Sequence, residues 1–196
     1  MSVMILPAAI VVSLFSSEIL LLWTGDPVTV ANTHSIVSIL IIGTALNGLM
    51  NLPYGLQLAH AWTKLTLYTN IIASIVLVPM IYFLAIHYGV VGAASAWVIL
   101  NTGYVLICIQ IMHSRLLKGE QWRWYLNDVA VPLLTAVTVA TFWRLLIPSE
   151  MSKLAMFICL AGVSATVLIA TAFATSVTRQ WINQKLVMLK KVAYER

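Results

Sequence analysis

The sequence predicts an all-α, polytopic bundle of six transmembrane helices. Of its 196 residues, 61% are hydrophobic and only 9% are charged, whereas soluble domains carry roughly 25% charge. Mean hydropathy is +0.97. Apolar runs of about 20 residues, long enough to cross a ~30 Å hydrocarbon layer, fill most of the chain. One such run could be a buried helix of a soluble protein, but the whole set leaves no ordinary aqueous surface.

A net charge of +5 would point to nucleic acid in a soluble protein. Here Lys and Arg fall in short loops and the tail, where membrane topology and anionic lipid account for them. Membrane lipid is therefore the expected partner, and nucleic acid is not. Cys108 and Cys159 lie in apolar runs without a CxxC or Cys/His grouping, which reads as packing rather than a disulfide or metal pair. Met1 to Pro7 carries no basic n-region and no clear cleavage site, unlike a secretory signal peptide.

The first run, 3–23, contains Pro7 and ends near Glu18 and Trp23. Glu18 lies about one turn from Trp23, which favours an interfacial carboxylate over a bundle-facing one. Thr24-Gly25-Asp26-Pro27 is a turn signal opening a polar loop to Ser35.

The second run, 36–59, places Gly43, Asn47, Asn51 and Tyr54 at spacings that share one helical face. Pro53 lies within it and predicts a kink. Amides in hydrocarbon need partners, so this stripe faces either another helix or a water-filled cavity.

His60-Ala61-Trp62-Thr63-Lys64 then forms a short basic connector. The third run, 65–87, holds Asn70 and Pro79, the latter expected to bend the helix or help end it. Tyr88-Gly89-Val90-Val91-Gly92-Ala93-Ala94-Ser95-Ala96-Trp97 reads as an uncharged external turn. Gly89 and Gly92 suit the turn, and Gly92, Ala93 and Ala96 give the next helix so little bulk that a neighbouring backbone can come close.

The fourth run, 90–112, carries Asn101, Gly103 and Tyr104. A basic, aromatic loop follows with His113, Arg115, Lys118, Trp122 and Arg123. Asp128 is placed to cap the fifth run, 129–148, with Pro132 in its opening turn. Arg144 can snorkel from its far end. The sixth run is 154–177, which closes a transmembrane domain of residues 1–178. Residues 179–196 form a basic cytoplasmic tail or interfacial helix, with Ile182, Leu186 and Leu189 on one face.

Six spans put both termini on one side, together with nine of the eleven Lys and Arg; only Arg144 and Lys153 fall on the other. The positive-inside rule makes the first side cytoplasmic.

No catalytic motif appears: no HExxH, no GxxxxGK[ST], no acidic metal cluster and no nucleophile elbow. His34, His60, His87 and His113 fall in predicted loops or at helix ends, too widely spaced for a local zinc site. No enzyme, metal or cofactor is expected. Kinked helices with amides at membrane depth favour transport, over a structural or assembly subunit and over a membrane enzyme.

Glu18-Ile19-Leu20-Leu21-Leu22-Trp23-Thr24-Gly25-Asp26, Asn51-Leu52-Pro53 followed by Gln57-Leu58-Ala59-His60, Asn70, and above all Tyr88 to Ala96 carry a further reading. With them the chain resembles the C-terminal part of bacterial polysaccharide flippases of the O-antigen/teichoic-acid type, within the multidrug/oligosaccharidyl-lipid/polysaccharide exporter superfamily. The resemblance covers roughly residues 1–121, with compatible hydropathy beyond. It implies the last six helices of a 12–14-helix transporter in the bacterial inner membrane. The implied cargo is an undecaprenyl-pyrophosphate-linked oligosaccharide, moved between leaflets by alternating access.

On this resemblance the chain is a truncated or split portion, or needs the missing N-terminal half or another membrane subunit as a partner, or is inactive alone; the basic groups for the pyrophosphate would lie on the absent half. Asn47, Asn51, Gln57, Asn70 and Asn101 are the candidate cavity-facing or interhelical polar positions. A drug/cation exporter of the same superfamily and a non-transporting assembly subunit are the alternatives. The scarcity of membrane-embedded acids weakens the exporter.

Overall fold

The computed structural model describes residues 1–148 and 151–175, which form helices and short connections with no strand among them. We number the helices α1 (Ser2–Leu14), α2 (Ser16–Thr24), α3 (Pro27–Ala59), α4 (Lys64–Leu116), α5 (Gln121–Leu146) and α6 (Lys153–Ala174). Helices α3 to α6 are each long and apolar enough to cross a membrane. That makes four candidate spans, or five if α1 and α2, bent by 75° at their junction, count as one. The protein is an all-α membrane-helix bundle.

The sequence predicts six runs, and the difference lies in α4, which continues through the expected boundary as 53 residues. Straight, it would measure about 80 Å, far beyond a ~30 Å hydrocarbon core. It is not straight. Gly89 has φ 63 and ψ −148, non-helical dihedrals in a region that side chains disfavour. Beyond it the chain returns along itself. A Cβ on Gly92 would lie 2.2 Å from the Leu84 carbonyl oxygen, the Tyr104 hydroxyl meets Asn70 at 3.3 Å, and the Cys108 thiol meets Thr69. In one straight helix Asn70 and Tyr104 would be about 50 Å apart. The two arms, 64–88 and 90–116, are therefore antiparallel. Ala96 is fully buried in the second arm, and Ala93 is half-buried. Pro79 stays within helical dihedrals.

Two helices begin earlier than expected. Asp26 caps α3 by accepting from the Val28 and Thr29 amides, with Pro27 in the first turn. The expected loop to Ser35 is instead helical. Its polar side chains are satisfied locally: Thr33 donates to the Thr29 carbonyl and the His34 ring meets the Val30 carbonyl. Likewise α5 starts at Gln121, so Asp128 is not its cap but lies in a π-helical stretch, Trp124–Ala130. Pro132 cannot donate to the carbonyl four residues back, which is that of Asp128; a widened turn accommodates the gap.

In α3 regular helix stops at Met50, between Pro27–Leu49 and Asn51–Ala59. Pro53 explains the site of the break, because it offers no N–H to the Leu49 carbonyl and crowds it. The break between α1 and α2 is at Phe15. There Ser38 of α3 donates to the Ser13 carbonyl at 2.8 Å and meets the Ser16 hydroxyl at 2.8 Å, satisfying polar groups at the break. Phe15 sits fully buried with Val11, Ala136, Ala140, Val163 and Val167. The small Ala136 and Ala140 let α5 approach α1 and α6 closely.

Side-chain contacts show which helix ends coincide. The Arg115 guanidinium lies 4.4 Å from the Trp62 ring centroid, and Met1 shares a cavity with Leu117 and Asp128. The N-terminus, the 60–63 turn and the 117–120 connection thus share one end. At the other, Glu18 of α2 pairs with Arg144 of α5, and a Cβ on Gly25 would lie 3.6 Å from the Lys153 amine. Glu18 is therefore partnered between helices instead of reaching solvent alone, and Arg144 does not simply snorkel. His113 also departs from expectation: it is 3% exposed, packed inside the end of α4. The expected tail, 179–196, and the last residues of the sixth run lie outside the described residues.

Candidate functional site

Four of the five amides singled out by sequence line one cavity. It has a volume of about 240 Å³ and lies between α3 and the two arms of α4, with Asn47, Asn51 and Gln57 on the α3 wall and Asn70 on the first arm. The fifth, Asn101, is fully buried beneath it and joins it through Asn47, whose Nδ2 donates to Asn101 Oδ1 at 2.9 Å.

The local sequence builds this wall in three steps. Gly43 lets the Trp97 indole come so close that a Cβ would sit 2.5 Å from its Cδ1. This fixes the second arm of α4 against α3, with the indole N–H toward the Thr44 hydroxyl at 3.4 Å. One turn further along each helix, Asn47 meets Asn101. Beyond the Met50 break, Gln57 is held by the Thr66 hydroxyl, which donates to Oε1 at 2.7 Å.

Sequence reading missed Thr66 and Thr69 of the first arm, which complete the lining with Tyr104 and Cys108 of the second. The recurrence of Thr66 and Asn70 at i, i+4 was the available signal. Tyr104 is brought in only by the reversal at Gly89.

The site is polar, and among the described residues no Lys, Arg, Asp or Glu lines it. Asn47, Asn51 and Asn70 are exposed, as is Tyr54 at 44%. Amides left open toward lipid tails would cost several kcal/mol each, on the order of an unmade hydrogen bond in an apolar medium. A face of this kind suits contact with water or with other polar groups. Among the described residues, no group of three or more His, Cys, Asp and Glu could hold a metal ion.

A larger cavity, about 570 Å³, lies elsewhere, between α1, α2 and α6. Its walls are apolar apart from Ser164, with Val11, Leu22 and Phe157 among them. It offers no chemistry beyond a hydrocarbon surface.

Over 92 residues, 47% of this chain, the sequence is 29% identical to a Shigella flexneri protein described as "Putative O-antigen transporter". The match covers 22% of that protein's length. No family model and no solved structure matches the sequence. The chain is thus similar, distantly and over part of its length, to a protein named for polysaccharide transport.

Proposed function

We propose that the chain is part of a membrane transporter that moves an undecaprenyl-pyrophosphate-linked oligosaccharide between leaflets of the bacterial cytoplasmic membrane. The observation that carries this reading is the open, uncharged face of amides and hydroxyls between α3 and the arms of α4. Such a face at membrane depth suits a polar cargo passing a gated path. The likeness to the Shigella protein supports the choice of cargo. Counting the arms of α4 separately and joining α1 with α2 gives six spans. The end bearing Lys64, Arg115, Lys118 and Arg123 then faces the cytoplasm, with both termini.

Because no cation among the described residues lines the cavity, the pyrophosphate is neutralised by groups outside them, on another helical half or subunit, for which the exposed polar face is the docking side. The absence of a carboxylate in the lining also disfavours a cationic drug as cargo.

Complementation of a flippase-deficient strain tests the proposal. The chain is expressed alone and with a candidate helical partner, and surface glycan is measured. Restoration by either supports it, and failure of both in the cognate strain removes it.

A further inference from the structure

The orientation of the amides around the cavity carries an inference about which part of the cargo it meets. Asn101 donates its NH₂ to the Trp97 carbonyl at 2.8 Å. A backbone carbonyl can only accept, so this bond fixes which way the Asn101 amide points. Its Oδ1 then takes the Asn47 NH₂ at 2.9 Å, which leaves the Asn47 carbonyl oxygen for the cavity.

Two further amides, Gln57 on the α3 wall and Asn70 on the first arm of α4, meet hydroxyls. Thr66 occupies the Gln57 oxygen at 2.7 Å and the Tyr104 hydroxyl occupies the Asn70 oxygen at 3.3 Å. The NH₂ groups of Gln57 and Asn70 remain. Gln57 is 3% exposed, and no buried side-chain nitrogen or oxygen lacks a partner among the described residues. Its amide nitrogen, which takes no partner there, therefore has access to the cavity that Gln57 lines.

The lining thus offers one fixed acceptor at Asn47, the amide nitrogens of Gln57 and Asn70, and the uncommitted amide of Asn51, all without charge. We infer that the cavity binds a single sugar ring of the transported glycan through its hydroxyls, and not the pyrophosphate. This rests on the transport reading for the identity of the cargo. A hydroxyl both donates and accepts, so neighbouring ring hydroxyls can bond the Asn47 oxygen and the two amide nitrogens together. A pyrophosphate offers acceptors only, leaves the Asn47 oxygen unpaired, and loses its hydration with no cation to replace it. The volume of about 240 Å³ accommodates one ring.

The test is ligand-observed saturation-transfer NMR on the full chain in phospholipid nanodiscs. Glucose, galactose, N-acetylglucosamine and rhamnose are the probes, with inorganic pyrophosphate as competitor. At least one sugar should receive saturation that pyrophosphate does not displace. Asn47→Leu should weaken that binding about fivefold, the loss of one hydrogen bond. Asn51→Ala should weaken it by a similar factor; Asn51 is exposed, so the variant leaves the packing intact.

The inference is overturned if no sugar receives saturation, if pyrophosphate displaces the sugar, or if both variants bind like the wild type. Sugar binding by a chain that fails complementation both alone and with the helical partner supports the site and removes the transport reading. Complementation without sugar binding removes the site alone.

Discussion

Tyr104 donates to Asn70 at 3.3 Å across 34 residues of chain, so the longest helical stretch of the protein is a hairpin. Gly89 is its pivot. A side chain there would be held at φ 63, a strain of roughly 1–3 kcal/mol. Gly89→Ala should therefore lower the thermal unfolding midpoint in detergent. A disulfide between a cysteine placed at position 69 and the native Cys108, whose side chain already meets Thr69, with Cys159 replaced by Ser, should form in the parent and poorly with Gly89→Ala added.

Gly43 and Trp97 set how closely α3 and the second arm of α4 approach. A Cβ at position 43 would overlap the indole at 2.5 Å, and overpacking of this kind costs about 1–3 kcal/mol. Gly43→Ala should destabilise the chain by that order in a denaturant or thermal series. It should also loosen the Asn47–Asn101 contact one turn away. Unchanged stability would mean that the indole simply swings aside.

Glu18 and Arg144 hold the first turn of α2 against the last turn of α5. The Glu18 side chain is 19% exposed and that of Arg144 43%. Screening at the more exposed partner reduces the value of the pair below that of a fully buried bridge, to roughly 1–2 kcal/mol. Glu18→Gln and Arg144→Gln should each destabilise by about that amount, and the double variant by less than the sum. Additive losses in the double-mutant cycle would show that the pair contributes nothing.

Asp26, outside the spans, gives a pH signature. The Thr29 hydroxyl, followed by the Val28 and Thr29 amides, bonds to its carboxylate and holds its pKa below the ordinary value. A depressed folded-state pKa contributes stability above the unfolded value, and that contribution is lost as pH falls through the lower folded value. A ¹³C titration of the Asp26 carboxyl should thus show a midpoint below that of a free Asp. Thr29→Val should move it upward. No movement would mean that the hydroxyl contact is absent in solution.

The amide face was legible because Asn47, Asn51 and Tyr54 repeat at helical spacing in an apolar run, which needs no knowledge of partners. The hairpin was legible from Gly89 and Gly92 between two long runs. Pairings over distance were not: nothing near Glu18 points to Arg144, 126 residues on, and nothing near Ser13 points to Ser38. Helix starts were misplaced where polar residues such as Thr33 and His34 satisfy themselves on their own backbone, so local polarity read as loop. His113 read as part of a basic loop because its neighbours are basic, whereas it is buried at the end of α4, with the Trp124 ring of α5 6.1 Å away.

The central claim is that Asn47, Asn51 and Asn70 line a water-accessible path at membrane depth. Cysteine accessibility tests it most directly. Single cysteines at 47, 51 and 70, in a chain with Cys108 and Cys159 replaced, are exposed to a membrane-impermeant thiol reagent in native vesicles. Cysteines at the exposed apolar positions Ile75 and Phe83 serve as lipid-facing references. The account predicts rapid labelling at 47, 51 and 70 and none at 75 and 83. Equal protection at all five positions would contradict it.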